Sequence, residues 1–472
     1  MILTHAFADR DVGVFGLARS GLSSVAYLKA AGARIYAWDE NEDARVQARD
    51  AGAIVAPIAA WPWERIRTLV LSPGIPLTHP SPHEVVVAAR KANADVIGDV
   101  ELFARETRPE RSQPGRAPVI AVTGTNGKST TTSLIGHILT SCGFPTQVGG
   151  NIGKPALDLA PPNGRTIYVL EISSYQIDLA PGLVPDVAVL TNISSDHLER
   201  HGSFENYASV KARLLEQTAP DGNIVIGVDD SSSAAIYSRL SPQRGANAVP
   251  VSVGKVLGRG VFAVDGTLYD AWGSRASKVM DLALATRLPG AHNWQNVALA
   301  YAAVKPIVDD SRAIASAIAS FPGLAHRTEE VARIGRVRFI NDSKATNSDA
   351  AARALACFTD IHWIAGGRPK KGGIDTLLQY ASRIRKAYLV GEATEAFART
   401  LDGHVTFEIS GTLDNAVSSA YADAAQSDAP APVVLLSPAC ASFDQFKDFE
   451  HRGECFRAIV GDLARFAQKE AS

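Results

Sequence analysis

Short apolar runs recur along the chain, each ending in a polar or glycine-bearing turn and followed by residues at helical spacing. The first stretch carries Val12–Phe15, Arg34–Trp38 and Leu69–Leu71. The second carries Val119–Val122, Ile167–Ile172, Val187–Thr191 and Ile224–Val228, and the third Val337–Ile340, His362–Ala365, Ala387–Val390 and Val433–Leu436. Strands buried on both faces read as continuous apolar runs, and alternation with helices predicts parallel sheets. Helices are expected after Phe15 through Leu28, from Thr130 with Leu134, Ile135, Ile138 and Leu139 on one face, and over Phe204–Gln217. Residues 249–272 break the rhythm with short β-runs and Gly turns, which predict hairpins. At 472 residues the chain is too long for one core. The Pro-, Arg- and Gly-rich run RPERSQPGRA at 108–117 reads as a linker. The predicted fold class is α/β in three domains: an N-terminal Rossmann-like unit over 1–107, a central P-loop ATPase-like unit with a mainly parallel sheet over 108–324, and a C-terminal Rossmann-like unit over 325–472.

Such sheets bind ligands beyond the C-terminal ends of their strands, so chemistry is sought there. After Val119–Val122 comes Thr123-Gly124-Thr125-Asn126-Gly127-Lys128-Ser129-Thr130. Backbone N–H groups at a helix start would face an anion, and glycines let that backbone approach. Lys128 would offset phosphate charge and Ser129 could ligate magnesium. Val122 stands where the usual P-loop has its first glycine. Glu171 and His197 follow neighbouring strands, where an acid or imidazole could complete a magnesium shell. Lys211 reads locally as a solvated lysine. Asn293 and Asn296, at the start of an alanine-rich helix, suit either helix caps or an adenine edge. The first turn, Gly16-Leu17-Ala18-Arg19-Ser20-Gly21, has Ala18 where a dinucleotide fingerprint needs glycine, so NAD is weakly supported. Asp39 is a ribose-binding acid or a strand-end cap. The third stretch gathers Asn341–Thr346, Gly366–Lys370 and Ser437–Phe443 at strand ends, a set suited to an anionic small molecule.

Charge narrows the partners. With 47 Lys and Arg against 49 Asp and Glu, the formal charge of −2 implies neither nucleic acid nor a membrane surface. Cys142, Cys357, Cys440 and Cys455 have no disulfide or zinc spacing and suit a reducing compartment. The opening MILTHAFADR lacks a basic region followed by an apolar one, and no apolar run reaches spanning length. A cytoplasmic protein without membrane insertion is expected.

GTNGKST at 124–130, NDSKATN at 341–347 and SPACASFDQFKDFEHRG at 437–453 resemble the Mur ligases of peptidoglycan synthesis. SPGIP at 72–76, GDVELF at 98–103, GGNIG at 149–153 and LEISSYQ at 170–176 extend the resemblance along essentially the whole chain. GTNGKST is that family's own form of the loop, so Val122 is no defect. The resemblance implies ATP-driven amide formation through an acyl phosphate, joining D-glutamate to UDP-N-acetylmuramoyl-L-alanine. A monomer is expected. The resemblance also implies that Gly124, Thr125, Asn126, Gly127, Lys128, Ser129 and Thr130 cradle the ATP phosphates. Ser129 and Glu171 would hold one Mg2+, with His197 and Lys211 serving a second. Lys211 matches a lysine that becomes a carbamate, whose oxygens can ligate a cation where an ammonium cannot. Asn293 and Asn296 match adenine contacts, and Arg327 and Asp342 match groups near the ribose and phosphates. Ser20, Asp39 and Ser72 match the UDP site and Asn151 the muramoyl-alanine end. Lys344, Thr346, Lys370, Ser442, Phe443 and Phe449 match the D-glutamate pocket, with Lys371 competing with Lys370.

The chain departs from the family at Ala18-Arg19, in the longer 108–117 linker and after Gly367. It lacks the Asp-Asn-Pro-Arg run of the ligases that add diaminopimelate. Rival readings are a sibling ligase, a folylpolyglutamate synthase, a non-catalytic nucleotide-binding module and an NAD-dependent oxidoreductase.

Overall fold

The computed structural model describes residues 7–107, 118–161, 164–273, 275–369 and 372–470. The linker at 108–117 and both Lys370 and Lys371 therefore lie outside the described residues. Among the described residues no helix is long and apolar enough to cross a membrane. The fold is α/β, with three sheets.

The first sheet comprises β1 (Asp11–Phe15), β2 (Arg34–Trp38), β3 (Ile54–Val55), β4 (Thr68–Leu71) and β5 (Asp95–Ile97). All pairs are parallel, in the order β3-β2-β1-β4-β5. β1 is buried along its whole length because helices cover it. Helix Arg19–Ala30 packs Val25, Tyr27 and Leu28 into that core. The strand order reverses between β1 and β4, which opens a crevice at their C-terminal ends.

The central sheet comprises β6 (Val119–Thr123), β7 (Thr146–Gly150), β8 (Ile167–Glu171), β9 (Val187–Leu190), β10 (Asn223–Gly227), β11 (Ala248–Val253), β12 (Gly260–Val264), β13 (Thr267–Ala271) and β14 (Ser277–Asp281). Its order is β14-β13-β12-β11-β10-β9-β6-β8-β7. β6 lies between β8 and β9, parallel to both, and its residues Val119–Val122 are buried. Val119, Ile120 and Val122 each contribute about 1.5–3 kcal/mol by leaving water. The hairpins expected over 249–272 are realised only from β12 onward. β11 instead continues the parallel sheet between β10 and β12, and the antiparallel pairs are β12–β13 and β13–β14. A parallel and an antiparallel strand carry the same apolar pattern, so periodicity does not separate them.

The third sheet comprises β15 (Glu329–Ile334), β16 (Val337–Asn341), β17 (Ile361–Gly366), β18 (Ile384–Val390), β19 (Phe407–Gly411) and β20 (Val433–Leu436), in the order β15-β16-β20-β17-β18-β19. Only β15 runs antiparallel. β15 and β19 are edge strands, and short polar edges carry little apolar signal. The same holds for β3 and β5.

The chain forms two compact units. One is Met1–Ala285 with Asn293–Phe321, and the other is Thr286–His292 with Pro322–Ser472. The first two sheets thus share one unit, and the third sheet belongs to the other.

Candidate active site

In the first unit, the strand ends of the first sheet converge on a turn. Gly16 follows β1 at φ 86°, where a Cβ would lie 2.5 Å from the Ser72 Cβ, so β1 and β4 approach as only glycine allows. Asp39 ends β2 and accepts hydrogen bonds from Leu17 N–H at 2.5 Å and Asn41 N–H at 2.8 Å. It therefore caps the turn, whatever else it binds. Ser20 Oγ lies 3.3 Å from Ser72 Oγ. Arg19, which sequence reasoning treated only as a departure, reaches across to donate to Gly153 O at 3.3 Å.

The loop after β6 is held from below. Helix Lys128–Ser141 begins two residues earlier than its apolar face suggested, with Gly127 as N-cap at φ 83°. A Cβ on Gly127 would lie 2.3 Å from Asn296 Oδ1, and one on Gly124 would lie 1.9 Å from Thr191 Oγ1. Thr125 N–H donates to Asn192 O at 2.8 Å and Asn126 N–H to Asn192 Oδ1 at 3.0 Å. Thr191 Oγ donates to Asn126 O at 2.6 Å. Thr191 and Asn192 were missed as supports, although their place after β9 is where a neighbouring strand meets the loop. Asn293 and Asn296 are not helix caps. They sit inside helix Ala291–Val304, buried, with Asn296 Nδ2 donating to Asn293 Oδ1 at 3.1 Å and Asn296 Oδ1 accepting from Thr131 Oγ at 3.2 Å. Ser129 and Thr130 are buried in the first helical turn.

Two lysine side chains meet this loop. Lys128 Nζ donates to Gly124 O at 3.1 Å and Thr125 O at 2.9 Å, and Lys211 Nζ donates to Gly124 O at 2.8 Å. Lys211 is not solvated. It is 1% exposed and lies 4.6 Å from the Tyr207 ring centroid. The helix Phe204–Glu216 turns Tyr207, Lys211, Leu214 and Leu215 inward together, a spacing that sequence inspection could have used. Burial, then the nearby Lys128 charge, hold the Lys211 pKa well below the usual lysine value, while Asp196 and Glu171 oppose the shift.

Glu171 ends β8 and is 2% exposed. Its Oε1 accepts from Asn151 Nδ2 at 2.8 Å, whereas Oε2 is buried with no partner among the described residues. An orphaned carboxylate oxygen beside this loop fits a hard cation. Among the described residues, no three His, Cys, Asp or Glu side chains group to hold a metal by themselves. With one carboxylate oxygen unpartnered at Glu171, the donor set fits magnesium, which commonly takes one or two carboxylates and completes its shell with phosphate and water oxygens. His197 begins a short helix in the left-handed region at φ 52°, and its Nδ1 lies 2.9 Å from the Tyr175 hydroxyl. Tyr175 and Tyr207 line the site and were not singled out beforehand.

These pieces share one cleft of about 680 Å³, which runs from Ser20, Asp39 and Ser72 to Asn151, Tyr175 and His197. A smaller cavity of about 70 Å³ continues from Asn151, Tyr175 and His197 to Lys128 and Lys211. The strand ends of the first and central sheets thus line two adjoining cavities that share Asn151, Tyr175 and His197.

In the second unit, the three expected strand ends also come together. β20 lies between β16 and β17. Asp342, after β16, is buried and accepts from Thr328 N–H at 3.1 Å and Ser437 Oγ at 2.8 Å. Burial pushes its pKa up to about 7, opposed first by the Ser437 bond. Lys344 Nζ sits 3.6 Å from the Phe449 ring centroid. Ser442 is buried, Thr346 half-buried, and Phe443 62% exposed. Arg327 is half-buried and close enough to oppose the Asp342 shift. Arg452 was missed although it lies in the quoted 437–453 run. Its buried guanidinium donates to Ser343 Oγ at 3.0 Å, Ser343 O at 2.9 Å and Cys440 O at 3.1 Å, tying two of the strand-end loops together. Burial lowers its pKa to about 10.

Comparison with known proteins agrees with this architecture. Residues 122–304 match the Mur ligase middle domain. The chain is 50% identical over 471 residues, covering 100% of both chains, to a UDP-N-acetylmuramoylalanine–D-glutamate ligase of Caulobacter vibrioides. It is 50% identical over 466 residues, covering 98% of both, to a ligase of that name from Phenylobacterium zucineum. The crystal structure of a UDP-N-acetylmuramate–alanine ligase from Thermotoga maritima superposes with TM-score 0.58 at 18% identity, covering 96% of this chain and 99% of that one, a likeness of fold. Identity at this level across both full lengths settles the family, and the chain belongs to the Mur ligases.

Proposed function

We propose that the protein is an ATP-dependent ligase that adds D-glutamate to UDP-N-acetylmuramoyl-L-alanine, a cytoplasmic step in building peptidoglycan precursor. The observation that carries this reading is the full-length identity with ligases of that name, 50% over 471 residues. The two adjoining cavities support it, since a nucleotide-sugar at Ser20, Asp39 and Ser72 would extend toward Asn151, His197 and the Lys128 loop.

The chemistry follows from the charges. A carboxylate is a poor acyl donor. Its oxygen attacks the γ-phosphorus of ATP, the bond to the β–γ bridging oxygen breaks, and ADP leaves with that electron pair. The amine of D-glutamate attacks the resulting acyl phosphate, a proton leaves the nitrogen, and the tetrahedral intermediate expels phosphate to leave the amide. Charge on the transferring phosphoryl group is met by Lys128 and the N–H groups at the start of its helix. Lys128 must first release its own loop carbonyls. Asn293 and Asn296 would read adenine, and Arg327 and Asp342 the ribose and phosphates. Magnesium, held by Ser129 and Glu171 and at a second position by His197 and Lys211, would neutralise phosphate charge. Carbamate formation at Lys211 joins a neutral amine to carbon dioxide and releases one proton, and the depressed pKa favours the neutral amine it needs. Lys344, Thr346, Ser442, Phe443 and Phe449, with Lys370, would receive D-glutamate, whose two carboxylates call for cations and donors.

Phosphate release measured with UDP-N-acetylmuramoyl-L-alanine, ATP and a panel of amino acids tests the reading. Turnover with D-glutamate is expected. Turnover with L-alanine or diaminopimelate and none with D-glutamate would overturn it.

A further inference from the structure

Asp99 follows β5 and opens helix Asp99–Thr107, within the GDVELF run to which no role has fallen. It is 2% exposed and is among the residues lining the large cleft. Neither of its oxygens meets a donor in hydrogen-bonding geometry among the described residues. Burial pushes its pKa up to about 6, and the Val100 N–H and the Gln176 amide lie near enough to oppose that rise. A buried carboxyl left in this state costs stability, and a strong donor entering the cleft would relieve it. Glu101, two residues on, shows the contrast, since its carboxylate is met by Gly182 N–H at 2.6 Å and Arg105 Nε at 2.8 Å.

Sheet order fixes where such a donor would lie. Asp39 follows β2, Ser72 follows β4 and Asp99 follows β5, in the spatial order β2-β1-β4-β5. Asp99 is thus three strand spacings from Asp39, roughly 14 Å, and one from Ser72. Gly98 N–H donates to Leu179 O at 2.8 Å, so this end of the sheet abuts the segment that carries Tyr175 and Gln176. A nucleoside diphosphate bound at Asp39, Ser20 and Ser72 spans that interval. The part of the ligand that then reaches Asp99 is the sugar, which carries hydroxyl and amide N–H donors and little else that a carboxylate can accept from.

We infer that Asp99 accepts a hydrogen bond from a hydroxyl or amide N–H of the N-acetylated sugar portion of the nucleotide-sugar, which rests on the function proposed above. It is a specificity residue that separates the sugar nucleotide from UDP alone. Asp99→Asn keeps the shape and removes the charge, and Asp99→Ala removes the acceptor. The KM for UDP-N-acetylmuramoyl-L-alanine rises roughly 10- to 100-fold in Asp99→Ala, the range for a hydrogen bond to a charged group, and less in Asp99→Asn. The KM for ATP stays within about twofold, since no ATP-binding residue adjoins it. UDP alone raises the melting temperature of wild type and Asp99→Asn equally, while the sugar nucleotide raises that of the variant less. The melting temperature of ligand-free Asp99→Asn equals or exceeds that of wild type, because an unsatisfied charge has gone. An unchanged KM for the sugar nucleotide, an equal rise in all KM values, or a ligand-free variant that melts several degrees lower would each overturn the assignment. Wild type that fails to turn over this substrate with D-glutamate and ATP would instead remove the functional reading beneath it.

Discussion

Two loops in the first unit are built on one plan, a buried parallel strand, a glycine turn and a helix, yet they are dressed with opposite charge. After β1, the Gly16–Gly21 turn holds an acid: Asp39 accepts from Leu17 N–H. After β6, the Gly124–Thr130 loop holds two lysine amines against its carbonyls, from Lys128 and Lys211. The first arrangement uses up a backbone donor and adds negative charge, which suits hydroxyl or imide groups better than a triphosphate. The second occupies acceptors with lysine amines at the start of a helix, where backbone N–H groups favour an anion. Strand–loop–helix geometry makes a ligand site. The side chains brought in from neighbouring strands and helices decide what charge it takes.

That contrast can be broken most severely at Lys128. Lys128→Ala should lower kcat roughly 100- to 1,000-fold, the scale of losing a main charge stabiliser. Calorimetric titration should show binding of the UDP-substrate little changed, and near-normal turnover would remove the charge role assigned to the second loop. Lys211→Ala should cost roughly 100-fold in kcat and be partly restored by short-chain carboxylic acids that supply the missing oxygens. Lack of restoration would leave the buried lysine an ammonium partner of Gly124 and no more. Its depressed pKa also gives a stability signature. The unfolded chain binds the proton over a range where the native chain does not, so this group makes stability rise with pH between its native pKa and about 10.4. Chemical denaturation of Lys211→Met across that range should show a flatter rise than wild type.

The glycines give a matched pair. Gly127→Ala forces a Cβ to 2.3 Å from Asn296 Oδ1 at a positive φ, and Gly21→Ala places one 1.9 Å from Gly16 O. Each should cost about 1–3 kcal/mol in urea unfolding, if the fold survives. Gly127→Ala should weaken ATP binding selectively and Gly21→Ala should weaken UDP-substrate binding. Loss of both ligands in either variant would mean that the loops are not separate sites. The smallest effect is expected for Asp39→Asn, roughly 3- to 10-fold in KM for the UDP-substrate, because the amide oxygen can still cap Leu17 N–H. An equal change in the KM for ATP would argue that Asp39 acts through the fold.

Much of this was legible residue by residue. The strands that were read correctly are central ones such as β6, β8, β9 and β20, whose apolar runs are buried on both faces. Those that escaped, β3, β5, β7, β14, β15 and β19, lie at sheet edges, where side chains meet water. The Lys128 loop and Glu171 stood out because each comes at the end of a strong strand. Lys211, Thr191 and Arg452 act through contacts with partners 87, 65 and 109 residues away, which no local pattern records.

The sequence by itself determined the α/β class, the central parallel strands and the glycine loops at their ends, because hydrophobic periodicity and backbone sterics act over a few residues. With its ordered motifs it also determined the family. Only the tertiary structure decided that Lys211 is buried against Gly124, that Glu171 keeps one oxygen without a partner, and that Asp99 lines the cleft of the first unit. Desolvation and charge pairing are set by what distant segments place around a group, and that becomes defined only when the sheets have assembled.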